Sequence, residues 1–85
     1  MKKLYRNETL IDGYHNVQLL LIVDEVPVTQ VRIDLSTREE EHECEFQSVH
    51  THPEYWSKGY ARYVLGEAIR EAYTLGKTII VLGAH

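Results

Sequence analysis

The hydrophobic period of this sequence changes at Tyr60, and that change restricts the fold more than any other feature. In "ECEFQSVHT", Glu43 to Thr51, residues alternate, with Cys44, Phe46 and Ser48 on one face and Glu45, Gln47 and Val49 on the other. From Tyr60 the positions Ala61, Val64, Leu65, Ala68, Ala72 and Leu75 recur at helical spacing, while Arg62, Arg70 and Glu71 lie off that stripe. Gly76 follows as a natural helix stop, and Lys77 sits near the negative end of the helix dipole. "TIIVLGA" is then a continuous run rich in β-formers, the pattern of a strand covered on both faces. Glu43 to Ala84 therefore reads strand, turn, helix, strand. A helix between two such strands predicts a right-handed crossover and a parallel pair.

Upstream, the signals are those of antiparallel strands. "VQLLLIV", Val17 to Val23, is too short and too rich in β-formers for a helix. "DEVP" is the turn after it, with Pro27 at the start of the next strand, where a missing N–H is tolerated. In "VRIDLS", Val31, Ile33 and Leu35 face one side and Arg32 and Asp34 the other, so the two strands make a hairpin. Thr37 to Glu41, "TREEE", reads as a solvated loop. Residues 1 to 16 hold one further strand around Lys2 to Arg6 and a turn at Asp12-Gly13. The fold class is α+β: a mixed, mostly antiparallel sheet with one crossover helix.

Composition excludes several classes of function. The chain has 85 residues, which predicts one domain with a core near the lower limit for unaided folding. A net charge of −4 argues against a broad electrostatic grip on nucleic acid, though it leaves room for a local anion site. No segment is long and apolar enough to cross a bilayer as a helix, and the basic start "MKKLYRNETL" lacks the apolar stretch of a signal peptide. The expectation is a cytoplasmic, unprocessed protein with no membrane partner. The lone cysteine, Cys44, excludes an internal disulfide and a multi-cysteine zinc site.

The stretch "HPEYWSKGYARYVLGEA", His52 to Ala68, carries the chemistry. A helix N-terminus exposes unpaired N–H groups and a partial positive charge, so a tight turn that aims them at one point can hold phosphate. Gly59 lets the backbone approach closely, Ala61 keeps the first helical turn uncluttered, and Lys58 adds a formal charge. The alternative is a loop whose glycine merely permits the turn.

"SVHTHPEYWSKGYARYVLGEAIREAYTLGKTIIVL" resembles the acetyl-CoA-binding core of the GNAT superfamily of N-acetyltransferases. The resemblance implies that loop amides hold the CoA pyrophosphate on Trp56, Ser57, Lys58, Gly59, Tyr60, Ala61 and Arg62. It places contacts to the pantetheine arm on Val49, His50 and Thr51. Trp56 stands where the family usually has glutamine or arginine, which implies weaker CoA binding. The strand-helix core is followed only by the residues to His85, so the expectation is a single truncated GNAT-like domain spanning 1 to 85. No residue here inherits the tyrosine that commonly protonates the leaving thiolate in that family.

The same resemblance sets Glu45 where the histone-acetyltransferase branch carries a general-base glutamate. A carboxylate there can take the proton of an acceptor amine; the alternative is a solvent-facing charge beside Glu43. His50 and His52, with Cys44, could be considered as metal ligands, but no third ligand has convincing spacing, so no metal is expected. Cys44 alternates with apolar partners and reads as a small core residue. Tyr55, Trp56, Tyr60 and Tyr63 form an aromatic cluster around the loop, suited to packing the turn, stacking on adenine or anchoring a partner. Two functions follow. One is an acyltransferase moving acetyl from acetyl-CoA to an amine-bearing small molecule or protein, its acceptor site completed by a homodimer or a protein partner. The other is a catalytically inactive interaction or inhibitor protein of the same descent.

Overall fold

The computed structural model describes residues 1–11, 13–36 and 42–82. Five strands form one sheet in sequence order: β1 (Lys2–Ile11), β2 (Tyr14–Val23), β3 (Val26–Ser36), β4 (Glu43–Thr51) and β5 (Ile79–Leu82). Among the described residues the only crossover is the helix α1 (Tyr60–Thr74), which leaves β4 and returns the chain to a parallel β5, while every other neighbouring pair is antiparallel. The mixed α+β architecture expected from the period change is the one observed.

Register is set by where the apolar faces meet. β1 pairs with β2 without a shift from Lys2↔Val23 to Ile11↔Tyr14, so the first strand runs well beyond Arg6. Gly13 has a positive φ of 77° in the expected turn, whose other residue, Asp12, lies outside the described residues, as do residues 37–41, where a solvated loop is expected. Between β2 and β3, Val23 opposes Val26 across a turn with both central residues left-handed, Asp24 at φ 48° and Glu25 at φ 69°. That geometry matches the right-handed twist of the flanking strands. The register then shifts between Leu21 and Ile22, and the irregularity accommodates Pro27, which has no ladder donor.

The core lies between one sheet face and α1. Val17, Leu19 and Leu21 of β2, Val31 and Ile33 of β3, and Phe46 of β4 are buried against Val64, Ala68 and Ala72. Alanines four residues apart let the helix backbone approach the sheet closely, and Leu65 and Leu75 complete the contact. At the far end the Lys77 N–H donates to the Ala72 carbonyl at 2.9 Å and the Gly76 N–H to that of Tyr73 at 3.0 Å. With Gly76 left-handed at φ 81°, this is a Schellman cap. Lys77, anticipated only as a charge near the helix end, is buried. On the outer side, the Arg6 guanidinium ties β1 to Glu71 of α1 and also pairs with Glu8 at 2.8 Å. Hydrogen bonds from Arg6, then from His15, hold the Glu8 carboxyl below the usual carboxylate range.

Two expectations about strand surfaces are revised. β5 is not covered on both faces: only Ile80 packs against the core, while Ile79 is 54% and Leu82 70% exposed. A run of β-branched residues does not distinguish a central strand from an edge. Ser48 does not continue the Cys44–Phe46 face. It is exposed with φ 55°, and the β3–β4 register shifts there, from Arg32↔Gln47 to Gln30↔His50. The extra residue forms a bulge that ends the simple alternation.

Candidate functional site

The turn between β4 and α1 is held from several sides. His52 is extended, as a residue before proline tends to be, and its N–H donates to the Val28 carbonyl at 2.7 Å. Pro53–Tyr55 make one 3₁₀ turn, closed by the Tyr55 N–H on the His52 carbonyl at 2.8 Å. The Tyr55 ring meets His52 edge-on at 5.7 Å and leans on Tyr60 at 6.1 Å between centroids. The Trp56 indole N–H donates to the Thr51 carbonyl at 2.8 Å, bracing the turn across its mouth. Tyr63, expected in this aromatic cluster, instead lies under the Lys2 ammonium, 5.0 Å from the ring centroid.

Beyond Trp56 the backbone turns twice through left-handed conformations, at Ser57 (φ 65°) and Gly59 (φ 79°). Gly59 is the N-cap of α1, no side chain caps the helix, and no acidic residue occupies its first turn. The Tyr63 N–H closes the first helical bond on the Gly59 carbonyl at 3.0 Å, so the N–H groups of Tyr60, Ala61 and Arg62 have no acceptor within the helix. They border a cavity of about 470 Å³ lined also by Thr51, Tyr55, Trp56, Ser57 and Gly59. A Cβ placed on Gly59 would meet nothing within 4 Å, so the space above it is open. Lys58 is exposed beside this cavity without lining it.

A second cavity, about 570 Å³, lies beside β4 at the Leu82 end of β5. Among the described residues the last parallel pair is Phe46↔Leu82. Past that point, on the side away from β3, the β4 backbone has no strand partner among the described residues. Ser48, Val49 and His50 line this gap with Phe46, Leu65 and Leu82. The expected pantetheine residues are thus divided: Val49 and His50 border the strand gap, and Thr51 borders the helix-end cavity.

Glu45 belongs to neither cavity lining. It is half-buried on the sheet face away from α1, opposite Asp34 of β3 and Val81 of β5. Its Oε1 accepts from Gln47 Nε2 at 2.5 Å. Gln47 Oε1 in turn accepts from Arg32 Nη2, and the Arg32 guanidinium pairs with Asp34 at 3.3 Å. Asn16 Nδ2 also donates to Asp34. These neighbours of Glu45 went unrecognised in the sequence, although alternation put Arg32 with Asp34, and Glu45 with Gln47, on common faces.

The remaining candidates sort by burial. Cys44 is buried, and burial pushes its thiol above the ordinary value, with Lys77 opposing that effect and Glu43 adding to it. A raised thiol pKa disfavours the nucleophilic thiolate. Among the described residues no three His, Cys, Asp or Glu side chains converge as a metal-binding group. None of the helices among them is long and apolar enough to cross a membrane.

Residues 3–85 match the Acetyltransferase (GNAT) family profile. The chain belongs to the GNAT acetyltransferase family. Its fold is similar to that of several solved acetyltransferase structures. A Trypanosoma brucei acetyltransferase matches with a TM-score of 0.72 at 13% identity, over 82% of this chain and 53% of that one. A ribosomal-protein-alanine N-acetyltransferase from Brucella melitensis biovar Abortus 2308 matches at 0.68 and 18%, over 82% and 51%. A GNAT family acetyltransferase from Staphylococcus aureus subsp. aureus USA300_TCH1516 matches at 0.70 and 21%, over 88% and 56%. This GNAT chain therefore spans about half the length of these relatives. A comparison with curated protein sequences gives no match.

Proposed function

We propose that this GNAT-family protein binds acetyl-CoA and transfers its acetyl group to an amine. The observation that carries the reading is the uncapped N-terminus of α1 at the mouth of a cavity, with N–H groups that have no helical acceptor and no carboxylate in the first turn. Such an end suits a pyrophosphate, and Arg62 and Lys58 add positive charge near it. Tyr60 and Ala61 contribute backbone there, while Trp56, Ser57 and Gly59 shape the approach. Val49, His50 and Thr51 offer backbone donors and acceptors on the side of β4 that has no strand partner among the described residues, which fits an extended arm carrying amides. Acetyl-CoA supplies an activated acetyl thioester: the acceptor nitrogen bonds to the acetyl carbon, the C–S bond breaks, and CoA leaves as a thiolate that takes a proton from solvent. Glu45 is the group we assign to hold the proton that the acceptor amine must lose.

The acceptor is an amine-bearing small molecule or protein, and residues 1–85 act as one domain in this reading. The exposed apolar side chains of β5, Ile79 and Leu82, support a second subunit or protein partner along that edge, which sedimentation would detect as a species larger than a monomer.

Calorimetry with acetyl-CoA and with CoA, followed by an acetyl-transfer assay over primary amines and free-amine peptides, tests the proposal. Saturable binding and transfer are expected, with Glu45→Gln slowing transfer by about 10²- to 10⁴-fold at unchanged acetyl-CoA affinity. Absence of binding would overturn the cofactor site. Binding without transfer to any acceptor would favour a GNAT-derived interaction module.

A further inference from the structure

The sheet face away from α1 carries a polar chain whose order is chemically directed. Gln47 lies two residues from Glu45 on β4, so both side chains leave on the same face, and Arg32 stands directly opposite Gln47 on β3. A guanidinium has only donors. Because Arg32 Nη2 donates to Gln47 Oε1, the amide of Gln47 is turned with its Nε2 toward Glu45, where it donates to Oε1 at 2.5 Å. The reverse orientation would set an amide oxygen against the carboxylate and leave Arg32 facing an NH₂ group. Asp34 keeps Arg32 in place, with Oδ1 3.3 Å from Nε and Oδ2 accepting from Nη2 at 3.4 Å. Asn16 steadies Asp34 from β2. Among the described residues only Oε1 of Glu45 accepts a side-chain hydrogen bond, so the amide of Gln47 holds the carboxylate by that oxygen.

We propose that Gln47 is a positioning residue for Glu45, and that Arg32 selects the amide orientation in which it does so. This rests on the reading of Glu45 as the proton acceptor. Gln47 is the last residue before left-handed Ser48, so the anchor sits where the register of β4 against β3 shifts. The bulge redirects the backbone while the Arg32–Gln47 bridge keeps the carboxylate aimed.

Two measurements test this on the full chain. In the first, the Gln47 side-chain amide resonances are followed by NMR in Glu45→Ala and Arg32→Met. Both variants should shift them, and resonances indifferent to both overturn the arrangement whether or not turnover is seen. In the second, acetyl transfer is measured for Gln47→Leu, Gln47→Glu, Glu45→Gln and the Glu45→Gln/Gln47→Leu pair, with folding checked by circular dichroism. Gln47→Leu should lower kcat about 10-fold with the KM for acetyl-CoA unchanged, the size of one hydrogen bond to a charged group. Gln47→Glu, which keeps an acceptor for Arg32 but removes the donor to Glu45, should lose at least as much. In the Glu45→Gln background Gln47→Leu should cost nothing further. Additive losses in the double variant, or a full rate in Gln47→Leu beside a slow Glu45→Gln, overturn the positioning role alone. An undiminished rate in Glu45→Gln, or no transfer by the wild type, overturns the base and its positioning residue together.

Discussion

Two turns of this chain use left-handed residues toward opposite ends. At Asp24-Glu25 both positive-φ residues serve closure: Val23 and Val26 pair across the turn, the Asp24 N–H donates to the Met1 carbonyl at 3.1 Å, and the N-terminal ammonium reaches the Asp24 carboxylate at 2.6 Å. At Ser57-Gly59 the same backbone device brings the chain into a helix whose first N–H groups are left without helical acceptors beside a cavity. The first turn is tied to Met1, just before β1, and shapes the sheet. The second leaves N–H groups without helical acceptors at the edge of a cavity, and this contrast is what the proposed cofactor site rests on.

Gly59 is the residue whose replacement separates the two turns most. Gly59→Val should weaken acetyl-CoA binding about 100-fold by calorimetry, because the side chain enters the open space above the turn and β-branching opposes positive φ. Equal affinity in the variant would remove the helix end as the cofactor site. Trp56→Phe should have a smaller effect, about 5-fold in affinity, since it keeps the ring and loses only the bond to the Thr51 carbonyl. Gly76→Ala, at the closed end of the same helix, should cost about 1 kcal/mol in chemical denaturation and leave affinity alone, for its positive φ serves only the cap. Smallest is Glu25→Gly, which should stabilise the chain by up to about 1 kcal/mol by relieving a left-handed non-glycine residue, again with no change in binding. A loss of acetyl-CoA affinity in Glu25→Gly would show that the two turns are coupled.

Much of this architecture was legible because local patterns carry it. Val31, Ile33 and Leu35 alternate, Val64, Ala68 and Ala72 recur at helical spacing, and Gly76 ends the helix, and each of these expresses the geometry of its own element. The glycine before Tyr60 was equally readable, since positive φ at a helix start is a property of a few consecutive residues. The Trp56 substitution was legible as a departure from the GNAT pattern, but not its consequence. The indole N–H reaches Thr51, five residues back, only because the His52-Pro53 turn folds the chain on itself.

What the amino-acid order determined by itself is therefore the set of elements, their sequence along the chain, and the strand-turn-helix unit that places the N–H groups of Tyr60, Ala61 and Arg62. Tertiary structure alone decided three further things. The bulge at Ser48 depends on how β4 aligns with β3, because an extra residue exists only relative to a partner strand. The exposure of Ile79 and Leu82 depends on which strands flank β5, and a hydrophobic run looks the same at the centre and at the edge of a sheet. The link from Arg32 through Gln47 to Glu45 joins residues on two strands, and a register shift of one residue would turn the side chains of one strand to the opposite face. Local propensity acts along the chain, whereas register is chosen by the summed burial of whole strands.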